Sequence, residues 1–139
     1  MITLSALLVS CSAMAVANLQ SNVNKISELN DRSLNNTLAI YPFFILDCYE
    51  PGCDPCQRMN ATLVELSLGL GGQAGFGKIN AKENNRTAET YNITSYPTLL
   101  IFQNKTLVEK AVGFGSKSMI VGKLRRLKPD LNTSLVMPV

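Results

Sequence analysis

Four apolar residues, Phe43 to Leu46, follow one another before Asp47 interrupts the run and Cys48 and Tyr49 close it. The run has strand length and is too short for a buried helix. Apolar on both faces, it suits a central strand covered by helices. Three later stretches also read as strands: Gly75 to Ala81, Tyr96 to Phe102 and Thr106 to Val112. Gln103-Asn104-Lys105 is a turn between the last two, and Gly113-Phe114-Gly115 breaks the last. Helical spacing intervenes. Met59, Leu63, Leu66 and Leu70 form a stripe on a helix running from Cys53 to Gly71-Gly72, where glycine ends it. Glu83 to Tyr91 predicts a short helix. Ser116 to Leu127 predicts an amphipathic one, capped by Ser116, with Met119, Ile120, Leu124 and Leu127 inward. Lys123, Arg125, Arg126 and Lys128 load its C-terminal half, as the macrodipole favours. Nearer the N-terminus, Lys25 to Leu29 reads as a first strand and Asp31 to Ile40 as a helix that Asn30 caps.

Chemistry enters at Cys53-Asp54-Pro55-Cys56. Two cysteines at this spacing fit the first turn of a helix. The unpaired N–H groups and the dipole there stabilise a thiolate on Cys53, and Cys56 is close enough to close a small disulfide ring. That is a redox couple, with Cys53 as nucleophile and Cys56 as resolving thiol. Zinc sites use the same spacing. Here a second CxxC is missing and the chain has no histidine, so a metal would need Cys48, Cys53 and Cys56 together with Met59 or an external ligand. Asp47 precedes Cys53 by six residues, so a short loop would fold it back beneath the thiols. Burial would raise its pKa and fit it to take or give the proton that thiol–disulfide exchange needs. Cys48 should point to the opposite face, as a small buried hydrophobe.

In order, the elements are strand, CxxC helix, strand, helix, strand, strand, helix. This sequence resembles thioredoxin over roughly Lys25 to Leu131. The resemblance implies a thioredoxin-like α/β fold, a central mixed sheet of four or five strands flanked by helices. It implies that Asp47 is the buried acid, that Cys53 and Cys56 with Pro55 between them are the redox pair, and that Lys78 pairs with the acid. It further implies that Pro97-Thr98 is a cis-proline loop and Gly113 the glycine after the last strand. Tyr96, Pro97, Gly52, Asp54, Pro55 and Gly113 would then border the substrate, whose extended chain pairs with the backbone of Tyr96. The chain departs from the family pattern at Gly52 and Tyr49, which stand where thioredoxin has tryptophans; at Asp54, which replaces a glycine; and at Cys48, which is an addition. An anion at Asp54 favours the helix and opposes the neighbouring thiolate, so Asp54→Gly is expected to lower the Cys53 pKa.

Composition bounds the rest. At 139 residues one domain is expected, large enough for a core without stapling disulfides, and four cysteines are too few for a disulfide scaffold. A net charge of +3, with the densest cluster of basic residues at the last helix, does not point to nucleic acid. No flavin or nicotinamide motif appears, so no cofactor beyond the Cys53–Cys56 disulfide is expected, and reducing power must come from a separate redox partner protein. A monomer is expected.

Residues 1–17 carry no charge and are mostly apolar. They read as a signal peptide or a membrane or lipid anchor. Leu8-Val9-Ser10-Cys11 resembles a lipobox, and Ala13-Met14-Ala15 and Ala15-Val16-Ala17 offer ordinary cleavage sites. No Lys or Arg occurs before Lys25. Residues 18–24 would be a linker, 25–131 the domain and 132–139 a tail. Asn35, Asn60, Asn85, Asn92, Asn104 and Asn132 each begin an N-x-[ST] sequon, where composition predicts roughly two. The leading expectation is a thiol–disulfide oxidoreductase of protein substrates, exported and membrane-anchored, facing outside the cytoplasm. The alternatives are a cytoplasmic general thioredoxin and a non-enzymatic module holding a metal or client protein.

Overall fold

Alternating burial and chain order place the apolar runs in the middle of a five-stranded sheet, seen in a computed structural model that describes residues 26–136. The strands are β1 (Ser27–Leu29), β2 (Phe43–Tyr49), β3 (Gly75–Asn80), β4 (Thr98–Gln103) and β5 (Thr106–Val112). Their order is β1-β3-β2-β4-β5. β1 and β2 lie parallel to β3, while β4 runs antiparallel to β2 and to β5. The helices are α1 (Leu34–Ile40), α2 (Asp54–Gly69), α3 (Asn85–Thr90) and α4 (Lys117–Leu127).

The central strands β2 and β4 are buried on both faces because helices cover both. Period-two alternation divides β2 between two cores. Phe43 and Ile45 join Met59, Leu63, Leu66 and Leu70 of the CxxC helix and Ile120, Val121 and Leu124 of α4. Phe44, Leu46 and Cys48 join Leu34 and Leu38 of α1, Ile79 and Phe102. Each such side chain contributes about 1.5–3 kcal/mol by leaving water, so the sheet that carries the CxxC helix is its rigid part.

Several element ends differ from expectation. The Asn30 side chain accepts from the N–H of Arg32 and of Ser33, yet residues 31–33 form a turn and α1 begins only at Leu34. The short helix begins at Asn85 because Asp31, from beyond β1, accepts from the N–H of Arg86 and of Thr87 and from the Thr87 hydroxyl. α2 ends at Gly69, before the Gly71-Gly72 pair. Met119 is not inward: it is 61% exposed, and Val121 takes the buried place beside Ile120 and Leu124. Ser116 does cap α4, its hydroxyl accepting from Met119 N–H at 3.4 Å. The described part of the expected tail, 132–136, packs back on the domain. Val136 is buried over Gly69, where a Cβ would collide with it, and Gln73 exchanges two hydrogen bonds with the backbone of Asn132. Residues 1–25, where the leader and linker were expected, lie outside the described residues.

Candidate active site

β2 delivers the site. At its end Glu50 and Pro51 lead into Gly52, whose φ of +74° is left-handed, a backbone that glycine adopts without strain. The chain reverses there and places Cys53 at the N-cap of α2. Pro55 occupies the first turn, where its missing N–H removes no helix bond. Cys53 Sγ accepts from the N–H of Cys56 at 3.2 Å, and the two cysteines form a disulfide with their Cα atoms 5.2 Å apart. Cys53 is half-buried and Cys56 lies beneath it, buried. Asp54 is exposed. The outer sulfur therefore meets a partner first, and the inner one is held ready to attack it.

Beneath the disulfide a cavity of about 250 Å³ joins Cys53, Cys56, Gln57 and Asn60 to Asp47 and Lys78. Asp47 is 1% exposed. Among the described residues its Oδ1 is the one buried side-chain polar atom without a hydrogen-bond partner. A carboxylate left so costs stability, and the protonated form is favoured instead. Burial pushes the Asp47 carboxyl up to about 7; Lys78 pulls it down, and Glu28 pushes it further up. An acid that changes protonation near neutrality, sharing a cavity with both sulfurs, is chemically suited to exchange a proton with a thiol.

Lys78 lies opposite Asp47 in the β2–β3 register and opposite Glu28 in the β1–β3 register, so it stands between two acids. The expected pairing with the buried acid is not the one formed. Its ammonium makes an ion pair with Glu28 at 3.5 Å and lies over the Tyr49 ring at 5.5 Å. The Tyr49 hydroxyl donates to the same Glu28 at 2.7 Å. Glu28 was missed in the sequence because only the register of an edge strand brings it here. Lys78 acts on Asp47 through its field alone.

The other wall is the loop before β4. The Tyr96–Pro97 bond is cis. Pro97 is buried and Tyr96 half-buried, and the Pro97 carbonyl accepts from Gly113 N–H at 2.8 Å. Gly113, at φ +86°, is thereby locked against the proline loop. Beside it the Phe114 ring lies under the Arg58 guanidinium at 5.5 Å, a contact that no spacing rule revealed. Cys48 lies on the opposite face of β2 among Phe44, Leu46 and Ile79, so the three thiols do not converge as a metal site would require.

Comparison with known proteins decides the lineage. A family model described as Thioredoxin matches residues 25–126. The chain belongs to the thioredoxin family. Thioredoxin from Buchnera aphidicola subsp. Acyrthosiphon pisum (strain APS) is 38% identical over 96 residues, which span 68% of this chain and 89% of that protein. Thioredoxin from Bacillus subtilis (strain 168) is 36% identical over 76 residues, 55% of this chain and 73% of its own. Among solved structures, a variant thioredoxin from Halobacterium salinarum NRC-1 superposes with a TM-score of 0.70 at 22% identity, covering 75% of this chain and 91% of that one. Chlamydomonas reinhardtii thioredoxin f2 superposes with a TM-score of 0.68 at 23% identity, covering 76% and 98%. The protein is thus a thioredoxin-family disulfide oxidoreductase with a CxxC pair, acting on protein disulfides.

Proposed function

We propose that the chain exchanges disulfides with protein substrates outside the cytoplasm, with Cys53 as nucleophile, Cys56 as resolving thiol and Asp47 as proton carrier. The carrying observation is the half-exposed Cys53 sulfur above a cavity that contains the unpartnered, buried Asp47. In the reducing direction, Cys53 thiolate attacks one sulfur of a substrate disulfide. That S–S bond breaks, the other substrate sulfur leaves as a thiolate and takes a proton, and a mixed disulfide remains. Asp47 carboxylate then removes the Cys56 proton. Cys56 attacks the Cys53 sulfur, the mixed disulfide breaks, and the second substrate sulfur leaves. Two electrons pass to substrate, and the Cys53–Cys56 disulfide stays behind for a separate redox partner protein to reduce. Run backwards, the same steps oxidise a substrate dithiol.

Tyr96, Pro97, Gly52, Asp54, Pro55 and Gly113 are the proposed substrate border. Lys78 tunes Asp47 as the counter-charge to Glu28. Export is supported by the uncharged, apolar residues 1–17 and by the six sequons. Membrane attachment is proposed through that same N-terminal stretch.

The test is a Cys56→Ser chain expressed in the cells that encode it, which halts the cycle at the mixed disulfide. Thiol-reducible adducts with proteins of the exported or membrane fraction are expected. Adducts confined to cytoplasmic proteins would favour the general cytoplasmic reading, and no adducts at all would contradict exchange through Cys53.

A further inference from the structure

The sequons divide by what their asparagines do. With 13 Asn and 20 Ser or Thr in 139 residues, composition gives roughly two N-x-[ST] triplets, and the chain has six, none with proline in the middle. Three asparagines outside the sequons are structural, and one within them, Asn132, also holds a backbone N–H. Asn30, Asn80 and Asn84 stand outside sequons, and each uses its side chain to hold backbone: Asn30 the turn before α1, Asn80 the Lys82 N–H, Asn84 the Asn80 carbonyl. Five sequon asparagines, Asn35, Asn85, Asn92, Asn104 and Asn132, are exposed. Asn104 sits in the β4–β5 turn at φ +47° and Asn92 in the turn after α3 at φ +49°. Asn85 opens α3, and Asn35 lies on α1 beside the buried Leu34. Asn132 accepts from the Ser134 N–H and hydroxyl through Oδ1, which leaves its Nδ2 for other chemistry.

The sixth, Asn60, differs. It is half-buried in mid-helix, and it lines the cavity that holds Asp47, Cys53 and Cys56. Its sequon hydroxyl does not set it apart. Thr62 Oγ1 donates to the Arg58 carbonyl at 3.1 Å, as Thr37 Oγ1 of the Asn35 sequon donates to the Ser33 carbonyl at 3.0 Å and Thr87 Oγ1 of the Asn85 sequon to Asp31. The asparagine's own burial and its place on the cavity carry the difference. An oligosaccharide on Asn60 would crowd the cavity that Asp47 shares with the two sulfurs.

We infer that Asn35, Asn85, Asn92, Asn104 and Asn132 carry N-linked oligosaccharides and that Asn60 is spared. The transfer joins each Nδ2 to the anomeric carbon of an oligosaccharide carried on a lipid pyrophosphate. A C–N bond forms, the C–O bond to pyrophosphate breaks, the amide gives up one proton, and the lipid pyrophosphate departs; no electrons change hands. The inference rests on the export reading, because the lipid-linked donor is used on chains leaving the cytoplasm. It adds a polar carbohydrate coat over the helical faces and the turns, while the dithiol rim stays bare.

The test uses the full chain recovered from the cells that encode it, with glycopeptide mapping by mass spectrometry and with export scored separately by cell fraction and mature N-terminus. Carbohydrate mass on the five exposed asparagines and none on Asn60 is expected, each position standing or falling by its own peptide. Thr106→Ala, which leaves Asn104 in its turn, should lose the Asn104 carbohydrate alone, with the disulfide-reduction rate unchanged within about twofold. An exported chain with these five bare overturns the modification and leaves export standing. Occupancy at Asn60 overturns the sparing of the rim. A bare chain recovered from the cytoplasm overturns both inferences.

Discussion

Asp47 and Cys48 are neighbours on one strand, both ionisable and both buried, and they have opposite fates. Their side chains leave β2 on opposite faces. Burial raises both, the Asp47 carboxyl to about 7 and the Cys48 thiol to about 12. The Cys48 shift is strengthened by the charge of Asp47 and opposed by Lys110. Asp47 shares a cavity with the CxxC sulfurs, whereas Cys48 is sealed among Phe44, Leu46 and Ile79. Burial alone therefore makes no site. Access to a reacting partner does, and a shift that stops near neutral pH makes the buried group usable.

The largest expected effect lies at the thiols. Cys53→Ser should abolish protein-disulfide reduction, a fall of at least about 10³-fold in turnover, because a hydroxyl cannot accept the exchange. Cys48→Ser or Cys48→Ala should leave turnover unchanged, and equal losses at both positions would break the comparison.

Next comes Asp47. Its carboxyl holds a proton until about pH 7 instead of 3.8, so between these values the folded chain binds more protons than the unfolded one and stability falls as pH rises. Asp47→Asn should therefore stabilise the fold by an amount that grows from near zero below about pH 4 to on the order of 4 kcal/mol above about pH 7. The same substitution should slow release of substrate from the mixed disulfide by roughly 10²-fold. Urea unfolding at several pH values and single-turnover kinetics read the two effects. A substitution that stabilises equally at pH 4 and pH 8 would contradict the buried-acid reading.

Cys48→Ala should cost about 1 kcal/mol, the loss of one buried sulfur from a packed core, with no pH dependence between 4 and 8. The smallest effects sharpen the electrostatics. Lys78→Met should move the pH midpoint of the Asp47-dependent step upward, and Glu28→Gln should move it downward, because the two charges push the carboxyl in opposite directions. Shifts of the same sign would mean that the effect travels through packing.

Much of this was readable from one sequence. Strand β5 falls on Thr106–Val112 as the pattern predicts, and the stripe Met59, Leu63, Leu66 and Leu70 is buried throughout. The dithiol, its helix and the acid six residues upstream are local, and local order is what spacing reports. What escaped is what register and long-range contacts supply. Glu28 takes Lys78 because β1 pairs with β3, and α3 starts late because its backbone N–H partners come from Asp31, more than 50 residues earlier. Met119 kept helical periodicity yet is largely exposed, lining an open surface cavity with Gly113 and Phe114 instead of joining Ile120 in the core. Val136 packs on α2 because Gly69 leaves room for it, a fit that no periodicity encodes.

The most direct test of the central claim is a redox titration of the full chain in graded glutathione buffers, trapping thiols with an alkylating mass tag read at peptide level. Cys53 and Cys56 should gain their tags together in one cooperative two-electron transition, while Cys48 stays unlabelled until the chain is unfolded. Independent labelling of Cys53 and Cys56, or labelling of Cys48 in the folded chain alongside them, would contradict the account.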